Sequence, residues 1–292
     1  MDTFTIHSVA EYVELVCQQN TKVKTNGKKG DTLLFRGQAD KENLLIPSIG
    51  RRTPLGKALI EEERNMIEMA KYKLPTVFRK DLEPIELLAL LQHHGIPTRL
   101  LDVSENALVG LYFACHDDKS TLGKDGEVIL FISNDLEVAT LPRVNTICNS
   151  YKTAHNTLEE NGKTAHANEA NTQINEQVSS ERKSGSWEKD TLIETQKNPD
   201  DIMFVYAPSY SLRQNIQRGR YILFEDSYEE NKRCIKEIPK NHRQIAQRIF
   251  VPADLKKSIR KDLRLLGVSK ELLFLDNTDM VCREIAERFS ER

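Results

Sequence analysis

Between Leu90 and Cys115 the chain sets Gln92, His93, His94, Thr98, Arg99, Asp102, Ser104 and Glu105 into an otherwise apolar run. Two further polar residues stand in apolar surroundings elsewhere, Arg36 after Thr32-Leu33-Leu34-Phe35 and Gln217 before Tyr221-Ile222-Leu223-Phe224. A guanidinium at the end of a buried strand needs a fixed anionic partner, because an unpaired buried charge costs several kcal/mol. Its planar fork fits a phosphate or a carboxylate. The partner is therefore either a ligand anion or a structural carboxylate such as Asp102 or Asp40. Arg99 and Asp102 carry the same ambiguity, since they could pair with each other across a corner. His93 and His94 are adjacent, so on a helix they point about 100° apart and do not hold one metal jointly.

The elements that must position these groups are read from periodicity. Ile85, Leu87, Leu88, Leu90 and Leu91 predict a largely buried helix, opened by Pro84 and stopped by Gly95 and Pro97. Thr98 to Leu101 reads as a short strand. Ser104 suits an N-cap for a second helix carrying Leu108, Leu111, Tyr112 and Cys115 at helical spacing. The polar residues thus fall on a corner between two buried elements, where sites are commonly built.

That corner also carries a resemblance. Gln92-His93-x-Gly95-x-Pro97-Thr98-Arg99-Leu100-Leu101-Asp102, extended by Asn106 and Leu108 to Ala114, resembles the signature block of the FRG domain family. The family's Phe-Arg-Gly triplet stands here as Phe35-Arg36-Gly37, and Gln217 to Tyr221 is similar to a third shared block. Val103 and Ala107 depart from the pattern, at places where the family often has Trp and Pro. The resemblance spans roughly residues 32–131 and resumes at 202–224.

A strand ending in Arg-Gly, with a polar Thr/Ser corner and an apolar helix with an aromatic later in the chain, more distantly resembles ADP-ribosyltransferases. That likeness implies NAD as substrate, with catalysis by orientation and electrostatics. On these two resemblances the expected catalytic residues are Arg36, His93 and Gln217. The expected substrate-binding residues are Gly37, Gln92, Thr98, Arg99, Asp102, Ser104 and Tyr112. The late glutamate of the transferase pattern has no direct match, because its block offers Gln217. An amide holds a hydroxyl but supplies no negative charge, and Glu225 and Glu127 are the fallbacks.

Composition bounds the other possibilities. Charged residues make up 29% and the net charge is -2, so no global basic field argues for nucleic acid. The N-terminus lacks a basic-then-apolar signal, and no apolar run approaches spanning length, so a cytoplasmic protein without a membrane partner is expected. The five cysteines are odd in number and scattered without a Cys-x-x-Cys spacing, which suits reduced thiols better than a zinc site or a disulfide framework. No metal is expected. Phosphate-loop, dinucleotide-fingerprint, His-Glu-x-x-His and Gly-x-Ser-x-Gly motifs are missing from the sequence.

Taken in order, Ser8-Val9-Ala10-Glu11 reads as a capping box opening a helix. Gln19 to Gly30 comes next as a polar, Lys-rich loop and Thr32 to Gly37 as a buried strand. Glu61 to Lys73 reads as a charged helix with Ile60, Met66, Ile67 and Ala70 inside and Glu61-Glu62-Glu63 as a solvated first turn. Glu127 to Ser133, Ile202 to Tyr206, Tyr221 to Phe224 and Ile245 to Val251 are strand candidates. Ala253 to Leu266 is amphipathic, and Thr278 is placed to cap a last helix carrying Met280 to Phe289.

The fold expected is α+β, a mixed central sheet flanked by helices with a long polar insertion. One domain spans 1–292, with a core of about 30–135 and 201–292. Residues 144–200, poor in apolar side chains, form an insertion expected to be mobile. Three functions stay open. The first is an ADP-ribosyltransferase-like effector using NAD, in a toxin or phage-defence role. The second is a catalytically silent module sensing a nucleotide, another small anion or nucleic acid. The third is a protein-interaction scaffold in which Arg36, Arg99 and Asp102 form an ionic core.

Overall fold

The computed structural model describes residues 3–52, 56, 58–116, 120–133, 142–152, 201–207, 212–230 and 232–274. The chain divides into two units, Met1–Ser150 with Ile202–Arg292, and Tyr151–Asp201. The first unit holds the sheet and its helices. The insertion between 153 and 200, with Trp187, and the expected helix after Thr278 lie outside the described residues.

The strands are β1 (Thr3–Thr5), β2 (Thr32–Gln38), β3 (Leu100–Ser104), β4 (Gly126–Ser133), β5 (Met203–Val205), β6 (Gly219–Leu223), β7 (Asp226–Glu229), β8 (Lys232–Ile235) and β9 (Ile245–Val251). The helices are α1 (Val9–Asn26), α2 (Glu63–Lys73), α3 (Pro84–His93), α4 (Ala107–Ala114), α5 (Pro142–Asn149), α6 (Leu212–Gln217), α7 (Lys256–Leu265) and α8 (Lys270–Leu273). Seven strands form one sheet in the order β1-β9-β4-β2-β3-β6-β5, while β7 and β8 make a separate hairpin. In that sheet β1 and β9 run parallel, and the other described neighbours are antiparallel. The architecture is α+β, a mixed central sheet flanked by helices.

Period-two alternation puts a core on each side of the sheet. Leu33 and Phe35 of β2 join Tyr12, Val109, Leu111, Leu130, Ile249, Ile259 and Leu263 beneath α1, α4 and α7. Leu34 joins Leu101, Val103, Ile129, Phe131, Phe204 and Ile222, with Ile49 and Ile60 packed on that face. Arg36 shares its face with Leu34. Helix α4 is apolar all round, and it approaches the sheet closely where glycines replace side chains. A Cβ on Gly37 would stand 1.9 Å from the Gly110 carbonyl oxygen, and one on Gly126 would stand 2.0 Å from that of Ala114.

Several local expectations need correction. Helix α1 runs on to Asn26, so Gln19 to Asn26 is helical rather than loop. Ser8 accepts from the Glu11 amide, but the Glu11 carboxylate accepts from His7 N–H and closes the cap one residue early. The N-cap of α4 is Asn106, whose side chain accepts from Leu108 N–H at 3.0 Å. Ser104 instead ends β3. Residues from Val144 to Asn149, placed in the polar insertion by composition, form most of α5, with Val144, Ile147 and Cys148 buried. A Cβ on Gly219 would meet nothing nearer than 3.7 Å, so no close backbone approach is made there.

Candidate functional site

Gly95, with a φ of +84°, ends α3 and turns the chain into the corner that leads to β3. Thr98 hydroxyl donates to Gln92 Oε1 at 2.5 Å and accepts from Leu100 N–H at 3.2 Å. The Gln92 amide nitrogen, thus oriented, donates to Asp102 Oδ2 at 2.8 Å. A relay therefore runs from the start of β3, through the end of α3, back to the middle of β3.

Arg36 reaches the main chain of Asp102 from the neighbouring strand. Strands β2 and β3 share the single pair Phe35↔Ser104 and then part. In that gap Arg36 Nη1 donates to the backbone carbonyl of Asp102 at 2.6 Å. The guanidinium does not pair with the Asp102 carboxylate. Its Nε is buried and has no hydrogen-bond partner among the described residues. Burial pushes the Arg36 pKa down to about 10; the charge of Asp102 works the other way, and that of Arg51 adds to the fall.

Asp102 is open to solvent by area, yet burial raises its carboxyl, with Arg36 and Arg213 opposing the rise. Tyr221 is paired across β6 with Asp102, and Gln214 donates to its hydroxyl. Burial and the Asp102 charge push the Tyr221 phenol above its usual value, so it stays protonated. Arg213, beside Gln214 on α6, lies 4.4 Å over the Phe274 ring.

Other expected site residues go elsewhere. Arg99 enters a buried ionic cluster. Its Nε and Nη2 grip the two oxygens of Glu63 at 2.6 Å each, and its Nη1 donates to Asp226 at 2.8 Å. Arg233 completes the cluster, meeting Glu63 at 2.8 Å, Asp226 at 2.5 Å and the Ile60 carbonyl at 3.0 Å. Every nitrogen of the Arg99 guanidinium is engaged, and the Arg99–Asp102 pair does not form. Burial alone would lower the Arg99 pKa, but Glu63 and Asp226 outweigh it and hold it above its ordinary value. Glu63, expected in a solvated turn, is 1% exposed. Nearby, burial pushes the Cys148 thiol up to about 12, which rules it out as a ready nucleophile.

Gln217 turns its amide to the Leu273 carbonyl at 3.0 Å, and its own backbone carbonyl accepts from Ser104 Oγ at 2.6 Å. These contacts anchor the end of α6. Gly37 lies under α4, and Tyr112 packs in the α1–α4 core with its ring edge-on to Phe113. His93 is half-buried at the end of α3, its ring 5.1 Å from that of His94. Of the fallback glutamates, Glu225 is exposed. Glu127 is buried in ion pairs with Lys240, at 2.8 Å, and Arg248. The structure thus joins Gln92, Thr98 and Asp102 by side-chain hydrogen bonds, ties Arg36 to the Asp102 main chain, and leaves Arg99, Gln217, Ser104, Gly37 and Tyr112 in contacts of their own.

Sequence reasoning missed Tyr221 as the cross-strand neighbour of Asp102, and Glu63, Asp226 and Arg233 as partners of Arg99. For Glu63 a signal was present. Ile60, Glu63, Ile67 and Ala70 recur at helical spacing, which turns Glu63 inward with them. For Asp226 and Arg233 no signal existed, since only the closing of the β7–β8 hairpin sets them opposite Arg99.

Residues 31–122 match the family model described as FRG domain. This segment of the chain is therefore similar to the FRG domain, and the match does not extend to the rest of the chain. The matched segment carries β2, α2, α3, β3 and α4, which hold Arg36 and the whole Thr98–Gln92–Asp102 relay. It ends before the block at Gln217. No curated protein and no solved structure matches the chain. Among the described residues no helix is long and apolar enough to cross a membrane.

Proposed function

We propose that the gap where β2 and β3 part binds a small anionic ligand of nucleotide type, with Arg36 as the residue that holds its charge. The observation carrying this reading is the state of the Arg36 guanidinium. It is desolvated enough to lower its pKa, takes a backbone carbonyl rather than the neighbouring carboxylate, and leaves a buried Nε–H without a partner among the described residues. A buried donor left unmade costs about 1–3 kcal/mol, so a ligand that satisfied it would recover that cost on binding. NAD is the nucleotide that the resemblance to ADP-ribosyltransferases implies, and an effector role in defence or as a toxin is the setting in which its consumption would matter.

The test is Arg36→Lys, which keeps the charge and loses the planar fork. Affinity for NAD or ADP-ribose, read by ligand-induced thermal shift and calorimetry, falls by about 1.5–3 kcal/mol, the scale of a hydrogen bond to a charged group. The unfolding free energy of the ligand-free protein changes far less, because lysine keeps the charge that Asp102 feels and no described carboxylate hydrogen-bonds the Arg36 guanidinium. A large loss of stability with affinity unchanged would make Arg36 a structural residue. Nicotinamide release from NAD by the purified protein then separates a transferase from a silent binding module.

A further inference from the structure

Helix α7 has a basic outer face. Ile259 and Leu263 turn into the core, and the buried Lys256 donates from Nζ to the Ala39 carbonyl at 2.6 Å. At 3.6 residues per turn, Lys257, Arg260, Lys261 and Arg264 fall within one arc of about 100°, and Asp262 lies outside it. Lys257, Lys261 and Arg264 are exposed and Arg260 is half-buried. The helix ends at Gly267, whose φ is +82°. Just before that turn Leu265 and Leu266 are 87% and 58% exposed. An ion pair from Arg264 to Glu271 holds α8 beside this end, where Leu272 is 40% exposed. Single exposed apolar residues are ordinary on a protein surface. Three leucines around one turn, at the end of a cationic stripe, form an apolar tip beside a basic surface.

We infer that α7 and the turn after it dock the protein on an anionic lipid surface. Lys257, Arg260, Lys261 and Arg264 meet the headgroup charges, and Leu265 and Leu266 enter the boundary with the acyl chains. The expectation of no membrane partner rests on the lack of a spanning run, and a helix lying in the headgroup layer needs none. The leucines decide between partners. A nucleic-acid backbone would take up the cations but leave Leu265 and Leu266 in water. A folded protein would need a pocket shaped to a side chain that projects with 87% of its surface bare. A bilayer takes up a projecting apolar side chain anywhere on its surface, and its anionic headgroups complement the stripe alongside. The inference is independent of the Arg36 site.

The experiment is sedimentation of the full chain with vesicles of phosphatidylcholine alone, and of phosphatidylcholine with an equal part of phosphatidylserine. The wild type sediments with the anionic vesicles and not with the neutral ones, and added salt weakens the binding. Lys257→Gln combined with Lys261→Gln lowers the partition coefficient roughly 25-fold, since each basic residue near such a surface contributes about fivefold. Leu265→Ser lowers it roughly tenfold on the same vesicles, because apolar surface is withdrawn from the acyl boundary. All three positions are exposed, so thermal unfolding of the variants stays at the wild-type value and separates lost docking from a lost fold. Failure of the wild type to sediment with the anionic vesicles overturns the inference. So does sedimentation that Leu265→Ser leaves unchanged, since the cations would then act alone. Retention of a DNA duplex without vesicle binding overturns it in favour of a nucleic-acid surface.

Discussion

Arg99→Ala is expected to lower the unfolding free energy by about 3–5 kcal/mol, the loss found when one partner of a buried ion pair is removed. The cluster explains the size. Glu63 and Arg99 are each 1% exposed, and the Asp226 side chain is 14% exposed, so solvent cannot replace the missing cation. Arg233 alone would then face two carboxylates through bonds it already makes. The effect is global, because the cluster joins the start of α2, the residue before β3 and the β7–β8 hairpin. Arg99→Lys should lose a smaller part, since an ammonium keeps the charge but cannot span both Glu63 oxygens and Asp226. Denaturant titration of both variants checks this. A loss below about 1 kcal/mol for Arg99→Ala would mean that the hairpin is held mainly by Ile235 and its apolar neighbours.

The cluster also sets an acid limit. Burial by itself would raise the Asp226 carboxyl, but Arg99 and Arg233 outweigh it and hold the carboxyl below its ordinary value. A depressed carboxyl contributes stability that is complete above its unfolded pKa of about 3.9 and is lost as pH falls through the lower folded value. Wild-type stability should therefore drop as pH falls below about 4. In Arg99→Ala that slope should be shallower, because one of the two cations depressing Asp226 is gone. An unchanged slope would assign acid lability to other carboxylates.

Gly37→Ala should cost about 3 kcal/mol or more, at or beyond the upper end of overpacking penalties. The added methyl would stand 1.9 Å from the Gly110 carbonyl oxygen and 2.6 Å from the Ala114 amide nitrogen. Both are backbone atoms of α4, so no rotamer change relieves the contact and the whole helix must lift from β2. The consequence reaches the site, because Gly37 is next to Arg36, and α4 packs on Phe35 through Gly110, where a Cβ would lie 3.0 Å from the Phe35 Cβ. Thermal unfolding of the variant measures the loss. A stable Gly37→Ala protein with weakened anion binding would instead place Gly37 in contact with the ligand.

The Phe-Arg-Gly triplet shows how far the sequence carried. The apolar run Leu33-Leu34-Phe35 reads as a buried strand, with Arg36 at its end as a charge needing a partner. The buried run of α3, the stop at Gly95, strands β2, β4 and β9 and the amphipathic α7 were legible for the same reason. Their apolar residues recur with the period of the element that buries them, and periodicity is local information. The neighbourhood of Gln92, Thr98 and Asp102 was legible too, since they lie close together in the chain around a single turn. What needed the tertiary structure was the choice among partners. Arg99 stands three residues from Asp102, yet it bonds Glu63, 36 residues away, and Asp226, 127 residues away. A charged side chain has a reach of several ångströms and no periodicity, so several carboxylates satisfy it equally on paper. Only the packing of α2 and the β7–β8 hairpin against the corner decides that Arg99 is spent on the fold, while Arg36 keeps a donor without a partner among the described residues.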